Sequence, residues 1–187
     1  MFKHIRPQIS ALKLIERGTN IEFKGRFKDT LAYNHFTEED ENTLFQVREI
    51  VQESISEAAD LFHKYLIELK EEGEQEIHSE EIKRYLYIFF NEKRDKEYVD
   101  KIIPFFNELR IRRYNIGKLI VAFNQLHFFL QMSLFSKKTI LPSTYLQLAE
   151  ALQRAINIEH QVLIEVYTEK IIEQVAEGIA RLMDKNS

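Results

Sequence analysis

"FFNELRIRRYNIGKLIVAFNQL", residues 105–126, is the stretch on which the reading of this chain turns. Its aromatic and branched residues recur at helical spacing, and Arg110, Arg112 and Arg113 stand near its middle. It holds no nucleophile elbow, no phosphate-binding glycine loop and no pair of metal ligands. A helix of this kind faces either the rest of its own protein or a bound guest.

The flanking sequence reads as helix throughout. Prolines and glycines are scarce, and neither occurs from Arg26 to Glu72. "TEED" at 37–40 predicts a capping box, in which Thr37 accepts from the amide of Asp40 and Asp40 reaches back. Behind it Leu44, Val47, Val51, Ile55, Ala58, Phe62, Tyr65 and Leu69 recur at steps of three and four, an amphipathic stripe. "KEEGEQE" (70–76) ends that helix as a solvated loop. "HSEEIKRYLYIFF" (78–90) opens the next, with Ser79 or its neighbour as cap. Ile82, Tyr85, Leu86 and Phe89 share one face there, and Tyr87 and Phe90 extend the apolar surface, which predicts burial on most sides. "NEKRDKE" (91–97) breaks the pattern, and Pro104 is expected near the start of the following helix, where a proline is tolerated.

Gly117 separates the arginine-bearing segment from an apolar helix running to about residue 135, and Pro142 and Ser143 start the last helix, about 144–184. Tyr145, Leu148, Leu152, Ala155, Val162 and Val166 form its first stripe. Beyond Thr168 the phase shifts to Ile172, Val175, Ile179 and Leu182, a short coiled-coil seam that points to a second chain. The first thirty residues hold one short helix at about 10–17 and then an irregular stretch, 18–27. The fold class is all-α, with a domain over 1–168 and a projecting helix over 169–187.

Bulk properties narrow the function. A net charge of −4 gives no reason to expect nucleic acid. The absence of cysteine excludes disulfides, thiolate metal sites and cysteine nucleophiles. The N-terminal residues lack the long apolar run and cleavage site of a signal peptide, and no apolar stretch reaches membrane-spanning length, so a cytoplasmic protein is expected. Among six scattered histidines, Asp60-x-x-His63 has the spacing used in carboxylate di-iron bundles, but no second copy exists. Glu159 and His160 are adjacent and point apart on a helix, and His127 and His160 read as core-edge or interface residues. No metal site and no catalytic residue is nominated, and an enzyme is not expected.

Four segments together resemble the sensor globins of bacterial globin-coupled sensors. "FKDTLAYNHFTEEDENTLFQVREIVQESISEAADLFHKYL" looks like that family's pre-helix and B-helix region. "EIKRYLYIFFNE" looks like its distal E helix, "DKEYVDKIIPFFNELRIRRYNIGKLIVAF" its F–G region, and "NIEHQVLIEVYTEK" its H helix. The likeness covers about 27–167. Haem-binding members carry a proximal histidine just before an x-R-I-G stretch. Here "ELRIR" occupies that stretch, and the candidate positions hold Asn107, Glu108 or Leu109, depending on where a one-residue gap falls. Neither Asn nor Leu replaces imidazole on haem iron, and Glu is an unusual ligand. His63 matches the family's B-helix tyrosine.

The resemblance is therefore to the non-haem sensor globins: stressosome N-terminal domains, and the sensor domains of sporulation histidine kinases with their free-standing inhibitory relatives. It implies no haem, a fatty-acid-like guest with a halide, and a homodimer through a four-helix bundle of the G and H helices. In such a fold Phe106 and Leu109 would line one wall of the former haem pocket, with Phe62 and His63 opposite and Tyr85, Leu86 and Phe89 on the distal wall. Arg110, Arg112, Arg113 or Tyr114 would hold a carboxylate or other anion at its mouth. The expected role is regulation of a sporulation-type sensor histidine kinase, as input domain or as a competing free sensor. A haem-based gas sensor using His63, and a stressosome-like interaction module whose aromatics fill the pocket, stand beside it.

Overall fold

The computed structural model describes residues 26–137 and 141–185. Within them six helices follow one another and no strand occurs: α1 (Arg26–Tyr33), α2 (Glu38–Glu68), α3 (Ser79–Asn91), α4 (Lys96–Ile111), α5 (Ile116–Phe135) and α6 (Pro142–Lys185). The short helix expected at 10–17 lies outside the described residues. Among the described residues no helix is long and apolar enough to cross a membrane.

α2 starts as its sequence dictates. The Thr37 hydroxyl accepts from the Asp40 amide at 3.3 Å, and the Asp40 carboxylate accepts from the Thr37 amide at 2.8 Å. Arg154 of α6 reaches both oxygens of Asp40 (3.0 and 3.1 Å), which ties the start of α2 to the last helix. Leu44, Val47, Val51, Ala58 and Phe62 are buried along α2, and Ile55 and Tyr65 half-buried. The last expected member, Leu69, falls beyond the helix and is exposed; Leu66 takes the buried place. Packed against α3, α5 and α6, α2 is the central element.

α3 buries Ile82, Tyr85, Leu86, Phe89 and Phe90, but Tyr87 is 62% exposed, so one side of this helix meets solvent. Its first residue is Ser79, and the Glu81 carboxylate accepts from the amide of the preceding His78 at 2.9 Å.

α4 begins earlier than its proline suggests. Asp95 caps it, accepting from the amides of Glu97 (2.9 Å) and Tyr98 (3.1 Å), which leaves Pro104 in the helix interior. Proline removes the N–H that the Asp100 carbonyl would accept. Pro104 and Asp100 are both exposed, so water can serve that carbonyl instead.

The break before α5 likewise precedes Gly117. α4 ends with Arg113 at φ +68, the left-handed slot where glycine is usual, and the Tyr114 amide donates back to the Leu109 carbonyl at 3.1 Å. Asn115 then caps α5 through the amides of Gly117 (2.8 Å) and Lys118 (3.4 Å). A Cβ on Gly117 would sit 3.2 Å from the Asn115 cap oxygen, so the glycine makes room for the cap.

α6 buries Leu148, Leu152, Ala155, Val162 and Val166, with Tyr145 half-buried. In the expected seam Val175 is exposed; the side chains of Ile172, Ile179 and Leu182 lie outside those described.

Candidate functional site

Four helices converge on one aromatic junction. Tyr85 of α3 stacks on Phe105 of α4, with ring centroids 4.6 Å apart and planes inclined by 15°. Phe123 of α5 meets Tyr85 edge-on at 5.5 Å and Phe106 at 6.0 Å, and Phe62 of α2 lies 4.8 Å from Phe123. Such offset and edge-to-face pairs add stability beyond the area they bury. Phe89, Leu86 and Leu109 are buried around them. Of the wall residues expected from the sequence, Phe62, Tyr85, Leu86, Phe89, Phe106 and Leu109 thus sit in one continuous core, and His63 stands outside it.

Outside that junction, a groove of about 610 Å³ runs between α3 and α4. Tyr85, Ile88, Pro104 and Phe105 give it an apolar floor. Glu81, Glu92, Asp100 and Glu108 stand on its rim with Arg84 and Lys101. Its volume falls within the range of small-molecule sites. Lys101 is held by Glu92 at 2.5 Å, whereas Arg84, among the described residues, makes no ion pair. Of the expected site residues, Tyr85 lines this groove and the others stand elsewhere. Phe105, Ile88 and Arg84 had not been singled out.

His63 is half-buried, its Nε2 3.5 Å from Glu76 Oε1. Its partner in the acid-x-x-His spacing, Asp60, instead accepts a hydrogen bond from Ser79 at 2.7 Å. No cluster of three histidines or carboxylates able to hold a metal occurs among the described residues. The arginines diverge. Arg112 is committed to Glu81 (2.9 and 3.0 Å), Glu108 (2.7 Å) and the Glu76 carbonyl (2.6 Å). Arg110 donates to Asn107 at 3.1 Å and keeps a buried Nε without a partner, while Arg113 is exposed. The Tyr114 hydroxyl accepts from the Ile77 amide (3.3 Å), and its carbonyl accepts from the Tyr167 hydroxyl (3.0 Å).

A second cluster lies deeper, where the sequence had suggested only packing. Glu159 of α6 is 1% exposed and accepts from the Tyr98 hydroxyl. The Tyr85 hydroxyl is also close but falls short of a well-formed hydrogen bond, and the second Glu159 oxygen has no partner. Burial pushes the Glu159 carboxyl up to about 7, against the pull of the nearby Arg94 charge and the tyrosine hydroxyls. Arg94 is itself buried. It donates to Glu41 (3.2 Å) and to the Phe89 carbonyl (2.8 Å), and it lies over the rings of Phe36, Phe89 and Tyr98 at 5.4, 4.9 and 4.9 Å.

His127 and His160 complete the group, with ring centroids 5.3 Å apart. Burial, with the neighbouring His160, lowers His127 to about 3, and burial also lowers His160. Both rings are therefore neutral near pH 7. His127 Nδ1 and His160 Nε2 are buried without partners.

Neither a protein-family model, nor a curated protein, nor a solved structure matches the chain.

Proposed function

We propose that this chain is a haem-less sensor globin, a homodimer that takes a small apolar anion such as a fatty acid and regulates a sporulation-type sensor histidine kinase, as its input domain or as a competing free sensor. The observation that carries the reading is the α3–α4 junction. Where a haem globin needs an imidazole, the candidate positions give a buried Leu109, an Asn107 bonded to Arg110 and a Glu108 bonded to Arg112. Aromatic rings fill the space beside them. The guest's place is the adjoining groove, with an acyl chain on Tyr85, Ile88 and Phe105 and its head group near Arg84. Each CH₂ buried there contributes about 0.8 kcal/mol.

The dimer reading is supported by an apolar row on the outside of α5. Val121, Phe128, Met132 and Phe135 are all exposed, at heptad-compatible spacing, with Leu146 and Ile164 exposed on α6. A guest that altered the packing of these helices would shift the outgoing end of α6, the usual way for an input domain to bias an attached kinase.

The filled aromatic core favours a second reading, a stressosome-like interaction module without a guest. Native mass spectrometry separates the two. A dimer heavier than two bare chains by the mass of a lipid supports the sensor, and excess mass equal to haem overturns the haem-less part. A dimer that stays bare after incubation with fatty acids and haem leaves the interaction module.

A further inference from the structure

Tyr85 belongs to two places at once. Its ring, stacked on Phe105, is part of the floor of the groove between α3 and α4. Its hydroxyl lies in the interior beside Glu159 of α6, where it has no hydrogen-bond partner. Oε2 of Glu159 has none either. A buried donor and a buried acceptor, carried by different helices, thus stand near each other unpaired. Buried polar groups ordinarily find partners, so this pair calls for a second arrangement in which the bond is made.

The surroundings leave that bond to the position of the Tyr85 ring. Tyr98 of α4 already holds Oε1 of Glu159. Arg94, whose charge also acts on the carboxyl, is hydrogen-bonded to Glu41 of α2 and to the Phe89 carbonyl. His127 of α5 and His160 of α6 are lowered by burial and stay neutral near pH 7. Burial holds the Tyr85 hydroxyl well above its ordinary range, so it keeps its proton to donate. The Glu159 carboxyl, pushed up to about 7, changes its ionisation when one hydrogen bond is made or lost. A bond given to the carboxylate favours the charged form. A few tenths of an ångström decide whether such a bond exists. An apolar chain on the groove floor displaces Tyr85 inward, toward the interior that holds its hydroxyl.

We propose that Tyr85 couples the α3–α4 groove to α6: a chain seated on its ring brings the hydroxyl onto Oε2 of Glu159, so occupancy of the groove and ionisation of that carboxyl rise together. Tyr85 is then a positioning residue, through which the guest acts on the last helix. This rests on the reading that the groove takes a guest.

Full-length protein labelled with carboxyl-13C glutamate and 15N tests it. The Glu159 carboxyl signal, assigned by its loss in Glu159→Gln, is titrated between about pH 6 and 8.5 with and without decanoate, an acid ionised across that range. The amide signals of Ile88 and Phe105 report groove occupancy in the same samples. In the parent, decanoate should move those amides and lower the Glu159 midpoint by about one pH unit. By reciprocity it binds about tenfold more tightly once the carboxyl is ionised. The direction is diagnostic, because a negative head group acting through space alone would raise the midpoint. Tyr85→Phe keeps the ring on the floor and removes only the hydroxyl. Its groove amides should still move, with the Glu159 midpoint the same in both titrations. Groove amides that move in the parent while the midpoint stays or rises overturn the coupling and leave the guest reading standing. An equal downward shift in Tyr85→Phe overturns it as well, since the path then runs through another group. Groove amides that never move end the guest reading itself, and the coupling with it.

Discussion

The hydroxyl of Tyr98, on α4, donates to Oε1 of Glu159, on α6, at a point where neither side chain reaches solvent. This bond joins two helices through the interior and leaves one carboxylate oxygen unserved. Tyr98→Phe would orphan the other oxygen too, at an expected cost of about 1–3 kcal/mol. It would also push the Glu159 carboxyl further up, since the Tyr98 hydrogen bond opposes the effect of burial. Urea unfolding of the variant should show a lower midpoint with an unchanged slope. An unchanged midpoint would mean that the bond does not bear on stability.

Lys118 and Glu74 form a pair whose side chains are 6% and 2% exposed, and it pins the α2–α3 loop to the start of α5. The same loop carries Gly73 at φ +86, and the Gln75 amide donates to the Arg112 carbonyl at 3.1 Å. Removing one charge strands the other in a poorly solvated place. Glu74→Leu alone should destabilise by about 3–5 kcal/mol, and adding Lys118→Met should recover most of the loss. Thermal or urea unfolding of the two singles and the double, read as a cycle, checks it. Additive losses would show that the two groups do not depend on each other.

The exposed row on α5 makes the dimer testable without touching the core. Phe128 is 59% exposed, so Phe128→Asp should leave the unfolding free energy of the subunit nearly unchanged. If that row is the subunit interface, the charge should weaken association by about 2 kcal/mol or more, roughly thirtyfold. Sedimentation velocity over a dilution series reads this directly. A variant that dimerises as tightly as the parent would place the interface elsewhere.

The helices were legible because their periodicity reports burial directly. The α2 stripe held from Leu44 to Phe62, and the Thr37 capping box formed as spelled. Helix starts hidden in charged sequence were not. Asp95 lies inside "NEKRDKE", a run that reads as a solvated break, and its capping role sets Pro104 mid-helix. Buried charge was lost in the same way. The α6 stripe runs Leu148, Leu152, Ala155, then Val162 and Val166, and the vacant step between them is Glu159. A carboxylate on a buried stripe is the signal the sequence carries for it, whereas the adjacency of Glu159 and His160 speaks only to their pointing apart on the helix. The groove could not be read at all, since it depends on how α3 and α4 lie against each other.

Glu159 and His127 give this interior a pH dependence in which two groups oppose each other. Unfolded, the Glu159 carboxyl gives up its proton near 4.5; folded, it keeps it to about 7. Between those values the folded state holds one proton more, so stability falls as pH rises. His127 acts the other way. Unfolded it is protonated below about 6.5, and folded only below about 3, so in that window stability rises with pH. His160, lowered by burial, adds to the His127 side. From pH 4.5 to 6.5 the Glu159 and His127 slopes, each about 1.4 kcal/mol per pH unit, cancel. Glu159→Gln should therefore make stability climb through that window more steeply than in the parent, by about that slope. His127→Asn should tilt the curve down by a similar amount. Urea unfolding of the parent and both variants at closely spaced pH values measures all three slopes, and parallel curves would show that neither group changes its proton affinity on folding.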